Sequence, residues 1–237
     1  MTEPIVAIVP CRAGSERVRN KNTRPFAGFE GGLLELKLRQ LSAQRQIEKI
    51  IVSSNDPVVL DYAKRFADSD DSRIVPLERP DELGRSSTPM STFIRYMGTL
   101  EDNGVMMMVH VTHPFVTSEV MANFIAAYEK STQDGHDSLF TVTRMHKFIW
   151  DSNGPFNYDN TVEKWPRSQD IPPLFEINHA GYLIPFRTMR ETDDRIGNRP
   201  FLHEIPESVA MDIDWEEQFT LLNDIALSKL SRNIPLI

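Results

Sequence analysis

Short apolar runs alternate along this chain with stretches whose apolar positions recur at helical spacing. The run Ile5-Val6-Ala7-Ile8-Val9-Pro10 predicts a buried strand, and residues 33–44 carry leucines at the period of a helix. The alternation continues with strands over 50–53 and 73–76, helices over 57–66 and 91–100, a strand over 105–111, a helix over 118–130 and a strand over 138–142. Such repetition implies a mostly parallel sheet with helices on both faces. After residue 142 the rhythm changes. Residues 144–180 are rich in Pro, Asn, Trp and charge, including Trp150, Pro155, Trp165, Pro166, Pro172 and Pro173, and a stretch this irregular predicts a functional segment or an interface. Strands are expected again over 182–185 and 209–213, and a helix over 215–230.

Composition narrows the function classes. At 237 residues the chain can bury a full core as one domain, 1–237, with 144–180 as an insertion within it. A net charge of −8 argues against nucleic acid as a partner. The single cysteine, Cys11, excludes an internal disulfide and fits a reducing compartment. The N-terminal apolar run is too short for a signal peptide, and no stretch approaches a membrane span, so a soluble cytoplasmic protein is expected, with no membrane partner.

The candidate chemistry begins where the first strand ends. Residues 11–22 (Cys11-Arg12-Ala13-Gly14-Ser15-Glu16-Arg17-Val18-Arg19-Asn20-Lys21-Asn22) combine a small Gly-Ser hinge with four cations, Arg12, Arg17, Arg19 and Lys21. Open α/β sheets bind ligands at the carboxyl ends of their strands. Small residues let the backbone approach a ligand, and clustered Arg and Lys match phosphate oxygens. The loop therefore reads as a polyphosphate cradle, although neither G-x-x-x-x-G-K-[ST] nor G-x-G-x-x-G is present. Late in the chain, Asp212 and Asp214 lie two apart in the predicted strand, so both carboxylates face one side and can share a Mg²⁺. Asp214 is equally suited to cap the last helix, with Glu217 at the third helical position. The pair His110 and His113 lacks a third residue at zinc-ligand spacing, and His110 reads instead, with Thr112, as the lining of a polar pocket. Cys11, a small residue at a strand end, needs no catalytic role.

The opening segment resembles the signature of the sugar-acid cytidylyltransferases, the CMP-sialic acid synthetase family: a strand, then Arg12, Gly14-Ser15, Arg17 and Lys21-Asn22. Four further segments carry the resemblance in order: Ile51-Val52-Ser53-Ser54-Asn55-Asp56, Arg79-Pro80-Asp81-Glu82-Leu83 with Ser86-Ser87-Thr88, His110-Val111-Thr112-His113-Pro114-Phe115, and Met211-Asp212-Ile213-Asp214. The third of these stands where the family has Gln-Pro-Thr-Ser-Pro. One departure is Glu16, where the family usually has Lys. A carboxylate repels a triphosphate, so Glu16 is expected to point away while Arg17 or Arg19 supplies the charge.

The resemblance implies a three-layer Rossmann-like nucleotidyltransferase fold, a mixed, mostly parallel sheet, and a homodimer built on the 144–180 insertion. It implies nucleotide contacts from Arg12, Ala13, Gly14, Ser15, Arg17, Lys21, Asn22, Arg79, Ser87 and Thr88. Arg12, Lys21, Asp212 and Asp214 would be catalytic, with Mg²⁺ on the two aspartates. The acceptor would meet His110, Thr112, Arg167, Gln169 and Asn178, with Lys147 and Trp150 reaching across the dimer. The implied reaction joins CTP to a nonulosonic, sialic-acid-like sugar acid. A Kdo-type cytidylyltransferase, an Asp-x-Asp glycosyltransferase and a non-catalytic sugar-nucleotide sensor are the alternatives. The lateness of Asp212-Ile213-Asp214 in the chain counts against the glycosyltransferase.

Overall fold

The computed structural model describes residues 3–85 and 87–237. Strands are β1 (Ile5–Cys11), β2 (Ile47–Ser54), β3 (Ile74–Glu78), β4 (Val105–Met108), β5 (Ser138–Met145), β6 (Trp150–Asp151), β7 (Gly154–Pro155), β8 (Leu174–Pro185) and β9 (Pro200–Glu204). Helices are α1 (Gly32–Ala43), α2 (Pro57–Ser69), α3 (Asp81–Gly84), α4 (Met90–Gly98), α5 (Ser118–Gln133), α6 (Phe186–Thr192), α7 (Glu207–Ala210) and α8 (Glu216–Ser231). Among the described residues seven strands form one sheet in the order β3-β2-β1-β4-β8-β5-β9. β8 runs antiparallel to both β4 and β5, and every other neighbouring pair is parallel. β6 and β7 form a separate small hairpin.

Side-chain alternation along the strands produces two cores. In β1, Ile5, Ala7, Val9 and Cys11 enter one apolar cluster with α1, α2, α5 and α8, while Val6 and Ile8 enter the other with α4 and α6. β4 divides the same way, with Val105 and Met107 on one face and Met106 and Met108 on the other. The expected three-layer α/β architecture is thus present.

α1 is buried almost all round, and its polar residues fasten the turn that follows β4. Lys37, fully buried, donates to the carbonyls of His113 (3.1 Å) and Val116 (2.9 Å), and Gln40 Nε2 donates to those of Pro114 (2.8 Å) and Leu236 (2.6 Å). Burial pushes the Lys37 amine down to about 7. Between that value and the usual lysine range, the unfolded chain holds a proton that the folded chain lacks. Stability contributed here therefore rises with pH above 7, by at most about 1.4 kcal/mol per pH unit. Denaturation midpoints of the native chain and Lys37→Met should diverge in favour of the native chain from pH 7 to 9. Parallel curves would contradict this.

Several expectations need correction. The strand expected over 209–213 is absent: Pro206 presets a helical entry, α7 forms over Glu207–Ala210, and residues 211–214 are irregular. Asp212 and Asp214 are therefore placed not by a ladder but by the bonds of Ile213 between them, whose amide donates to Thr112 O (3.1 Å) and whose carbonyl accepts from Lys21 Nζ (2.7 Å). The cap of α8 is Trp215, and Gln218 Oε1 accepts from the amides of Asp214 (2.7 Å) and Trp215 (2.9 Å), the role expected of Asp214 with Glu217. The strand expected over 105–111 stops at Met108, because the chain turns there into the segment held by Lys37. β8 is far longer than 182–185, and β9 has no counterpart in the expectation, since half-exposed polar residues hide both.

Candidate active site

Because β8 is antiparallel, with Met108 opposite Tyr182, its earlier residues project past the carboxyl end of β4. They join the loops leaving β1, β3 and β4 around a cavity of about 460 Å³ at the strand order's switch between β1 and β4. Of the residues expected in a site, Arg12, Ser15, Arg17, Lys21, Asn22, Arg79, Thr88, His110, Thr112, Asp212 and Asp214 all line it.

The β1 loop is held at several points. Val18 is buried beneath it. The amide of Ala13 donates to Asn55 Oδ1 (2.9 Å), Asn22 Nδ2 donates to the Arg12 carbonyl (3.4 Å), and the Asn22 carbonyl accepts from Leu34 N (2.8 Å) in α1. Gly14 adopts φ +72° with open space around its Cα, a conformation that suits glycine and keeps the backbone accessible. Cys11, just before the loop, is buried and its thiol is pushed up to about 12 by that burial, so it is no nucleophile. Glu16 lines the cavity, contrary to the expectation that it points away, while Arg19 does not line it.

The loop reaches the aspartate segment through two cations. Lys21 Nζ donates to the Ile213 carbonyl (2.7 Å) and lies 3.6 Å from Asp214 Oδ1, and Arg17 Nη1 lies 3.7 Å from Asp214 Oδ2. Burial lowers the Lys21 pKa, against the opposing pull of Asp212 and Asp214. The Arg17 guanidinium also stands 4.9 Å over the Trp215 ring.

The β3 side supplies a different wall. Arg79 is buried, its guanidinium 4.7 Å over the Phe93 ring, and burial lowers its pKa. Leu83, Met90 and Phe93 add apolar surface, and Thr88 Oγ1 donates to the Glu82 carbonyl. Ser87 is exposed and does not line the cavity, and Ser86 lies outside the described residues.

On the β4 side, His113 is buried and its Nε2 lies 2.9 Å from the Asn178 carbonyl, an acceptor that assigns the proton to Nε2. Burial lowers its pKa despite the nearby Asp212 carboxylate. Neutral His113 therefore turns a lone pair on Nδ1 toward Asp212 Oδ1 at 3.7 Å, and both atoms are buried without a hydrogen-bond partner. Two facing acceptors in a buried place favour a positive centre beside them. The Asp212 oxygen is of the kind Mg²⁺ takes, since that ion binds one or two carboxylates and completes its shell with phosphate oxygens and water, whereas the imidazole nitrogen is not a ligand it favours. His110, half-buried, has its pKa held well below the ordinary value by burial, with His113 and Arg195 adding to the effect.

Of the expected acceptor residues, His110 and Thr112 line this cavity, whereas Arg167, Gln169 and Asn178 are not brought to it within one chain. Asn178 Oδ1 accepts from Thr141 Oγ1 (2.6 Å) and Ala180 N (3.2 Å), and its Nδ2 donates to Thr143 Oγ1 (3.0 Å). Its side chain fixes the β5–β8 irregularity. Arg167 is exposed and paired with Asp170 (2.7 and 3.0 Å), and Gln169 is exposed on the same short turn. Lys147 reaches Glu207 at 3.5 Å, and Trp150 donates to Tyr158 Oη (2.7 Å). Lining residues that the sequence reading did not single out include Arg85, His179 and Arg195. His179 sits at φ +59°, a conformation that costs a non-glycine residue about 1–3 kcal/mol. Nothing in Asn178-His179-Ala180-Gly181 announces it.

These features define an α/β protein of the nucleotidyltransferase fold. The chain superposes on a 4-diphosphocytidyl-2C-methyl-D-erythritol synthase from Anaerococcus prevotii with a TM-score of 0.66 at 16% identity, covering 97% of this chain and 99% of that one. It superposes on a CMP:2-keto-3-deoxy-manno-octonic acid synthetase solved with CTP at 0.65 and 9% identity, covering 95% and 99%. A model described as cytidylyltransferase matches residues 6–226, and the chain belongs to that family.

Its relatives include an N-acylneuraminate cytidylyltransferase from Oncorhynchus mykiss, 25% identical over 89% of this chain and 48% of that protein. A CMP-N,N'-diacetyllegionaminic acid synthase from Legionella pneumophila is 25% identical, over 94% of this chain and 99% of that protein. A pseudaminic acid cytidylyltransferase from Campylobacter jejuni is 21% identical over 88% and 90%. The chain spans about half the length of the Oncorhynchus mykiss and Danio rerio relatives and nearly all of the Legionella one. Among the described residues no helix is long and apolar enough to cross a membrane.

Proposed function

We propose that this chain transfers the cytidylyl group of CTP to a nonulosonic sugar acid, releasing pyrophosphate. The observation that carries the reading is the convergence of Lys21 and Arg17 on Asp214 inside a cavity that also holds Arg79, Thr88 and Asp212. Phosphate-matching cations and a carboxylate pair stand together there, which nucleotidyl transfer needs and a solvated turn does not. Relatives named for pseudaminic, legionaminic and N-acylneuraminic acids favour this acceptor class over a Kdo-type acid, whose synthetase is similar in fold.

In the reaction the anomeric hydroxyl oxygen forms a bond to the α-phosphorus as the bond to the α–β bridging oxygen breaks. The electron pair leaves with pyrophosphate, and the hydroxyl proton passes to water. Arg12, Arg17 and Lys21 would neutralise the charge that develops on the phosphates. Leu83, Met90, Phe93 and Arg79 would receive the nucleoside. Asp212 and Asp214 would hold Mg²⁺, which when bound polarises the α-phosphate and acidifies the attacking hydroxyl. Such chemistry depends on positioning and electrostatics more than on a strong base. Pyrophosphate release on mixing the protein, Mg²⁺, each nucleoside triphosphate and a panel of sugar acids tests the reading. Turnover confined to CTP with a nonulosonic acid is expected, and turnover with a Kdo-type acid alone would move the acceptor to that class.

The active unit is proposed to be a homodimer. Trp150, Phe156, Val162 and Trp165 are 57%, 64%, 83% and 68% exposed, more apolar surface on one segment than a free loop ordinarily shows. The segment would cap a neighbouring site and bring Arg167 and Gln169 to the partner's acceptor. Sedimentation should report a dimer near neutral pH, and Arg167→Ala should raise KM for the sugar acid far more than for CTP. A fully active monomer would refute the shared site.

A further inference from the structure

We infer that Arg195, held in place by Tyr182 and His179 of the same chain, binds the carboxylate of the acceptor; this inference rests on the acceptor class proposed above. The β5–β8 ladder is broken opposite Thr141: Phe140 pairs with Tyr182 and Val142 with Ile177, so residues 178–181 bulge out of register. At the crest of the bulge His179 adopts φ +59°. The fold fixes that conformation from both sides, through the three hydrogen bonds of the Asn178 side chain and the contact of its carbonyl with His113 Nε2. A strained residue held this firmly and aimed into a cavity is a device for presenting its side chain.

His179 presents itself to Arg195. Its Nδ1 lies 2.6 Å from Tyr182 Oη and 3.4 Å from Arg195 Nη2. The Arg195 guanidinium stands 4.3 Å over the Tyr182 ring. Stacking on the ring and contact with the imidazole fix the fork's orientation and leave most of its five N–H donors unused. Among the described residues Arg195 makes no ion pair with an acidic side chain, although it lines the cavity beside His110 and Thr112. Arg167, by contrast, is already neutralised by two bonds to Asp170.

The ligand chemistry follows from position. Arg12, Arg17 and Lys21 come from the β1 loop and serve the triphosphate, whereas Arg195 comes from the loop between α6 and β9, at the cavity's β8 wall. An oriented guanidinium there suits a planar carboxylate held by two parallel bonds. A nonulosonic acid carries one carboxylate, adjacent to its anomeric carbon. Anchoring that group would set the distance from the attacking hydroxyl to the α-phosphorus.

The test uses the full-length protein, CTP, Mg²⁺ and a nonulosonic acid that the native chain turns over, compared with that acid's C1 amide. Arg195→Ala should raise KM for the acid roughly 10- to 100-fold and leave KM for CTP within about twofold. It should also discriminate acid from amide much less than the native chain does, while Arg195→Lys recovers part of the acid preference. A merely structural role would not erase the preference for the acid. Unchanged KM for the acid, or an undiminished acid preference in Arg195→Ala, overturns the inference while leaving the cytidylyl-transfer reading intact. Should Arg195→Ala not fold, equal turnover of acid and amide by the native chain overturns it as well. Native protein that turns over none of the acids removes the acceptor reading, and this inference with it.

Discussion

Asp214→Asn is expected to lower turnover by roughly 10²- to 10³-fold, the effect of removing one preorganised electrostatic group from a reacting centre. The carboxylate is half-exposed to the cavity, with Lys21 Nζ 3.6 Å from one oxygen and Arg17 Nη1 3.7 Å from the other. An amide keeps its shape and removes its charge. The Asp214 backbone amide would still donate to Gln218 Oε1, so the start of α8 keeps its cap and the melting temperature should hardly move. Loss of the anion also deprives Lys21 of a charge that favours its protonated form, pushing an already lowered pKa further down. Steady-state kinetics across a Mg²⁺ titration, with melting as the control, check this. Near-normal activity at ordinary Mg²⁺ would contradict the assignment of Asp214.

Lys21→Met should be nearly as damaging, through CTP in place of the metal. Lys21 is the point at which the β1 loop and the aspartate segment meet, donating to the Ile213 carbonyl at 2.7 Å. Methionine keeps most of the stem and its packing but supplies neither the donor nor the charge. We expect kcat/KM for CTP to fall by about 10²- to 10³-fold and CTP binding, measured calorimetrically, to weaken sharply. Melting should drop by no more than the loss of one side-chain hydrogen bond, about 0.5–1.5 kcal/mol. Arg12→Ala should impair CTP use in the same direction without that structural component. Native-like CTP affinity in Lys21→Met would remove the loop from phosphate recognition.

The sequence disclosed the parts of this molecule that rest on local patterns. The run from Ile5 to Pro10 is apolar on both faces because β1 lies inside the sheet, and such strands are legible as continuous runs. The cationic loop was legible because Arg12, Arg17 and Lys21 lie within one short stretch directly after that strand. Asp212 and Asp214 were found for a reason that is incorrect, since no strand aligns them. Their segment is held by Thr112 and Lys21 on the backbone of Ile213, contacts between parts far apart in the chain. Asn178 was misread for the opposite reason: its amide meets Thr141 and Thr143 only once β5 and β8 pair. Arg195 was invisible because a bulge and a ring stack bring it to the site, and neither leaves a period or a spacing in the sequence.

The central claim is that the phosphate loop, the aspartate pair and the acceptor side act on a single CTP. Phosphorus NMR of a reaction containing the protein, Mg²⁺, CTP and the preferred nonulosonic acid tests it most directly. The account predicts that the three CTP resonances give way to one phosphodiester signal and free pyrophosphate in equal amounts. Conversion of CTP to CDP and inorganic phosphate, or CTP left intact beside every acid of the panel, would contradict it.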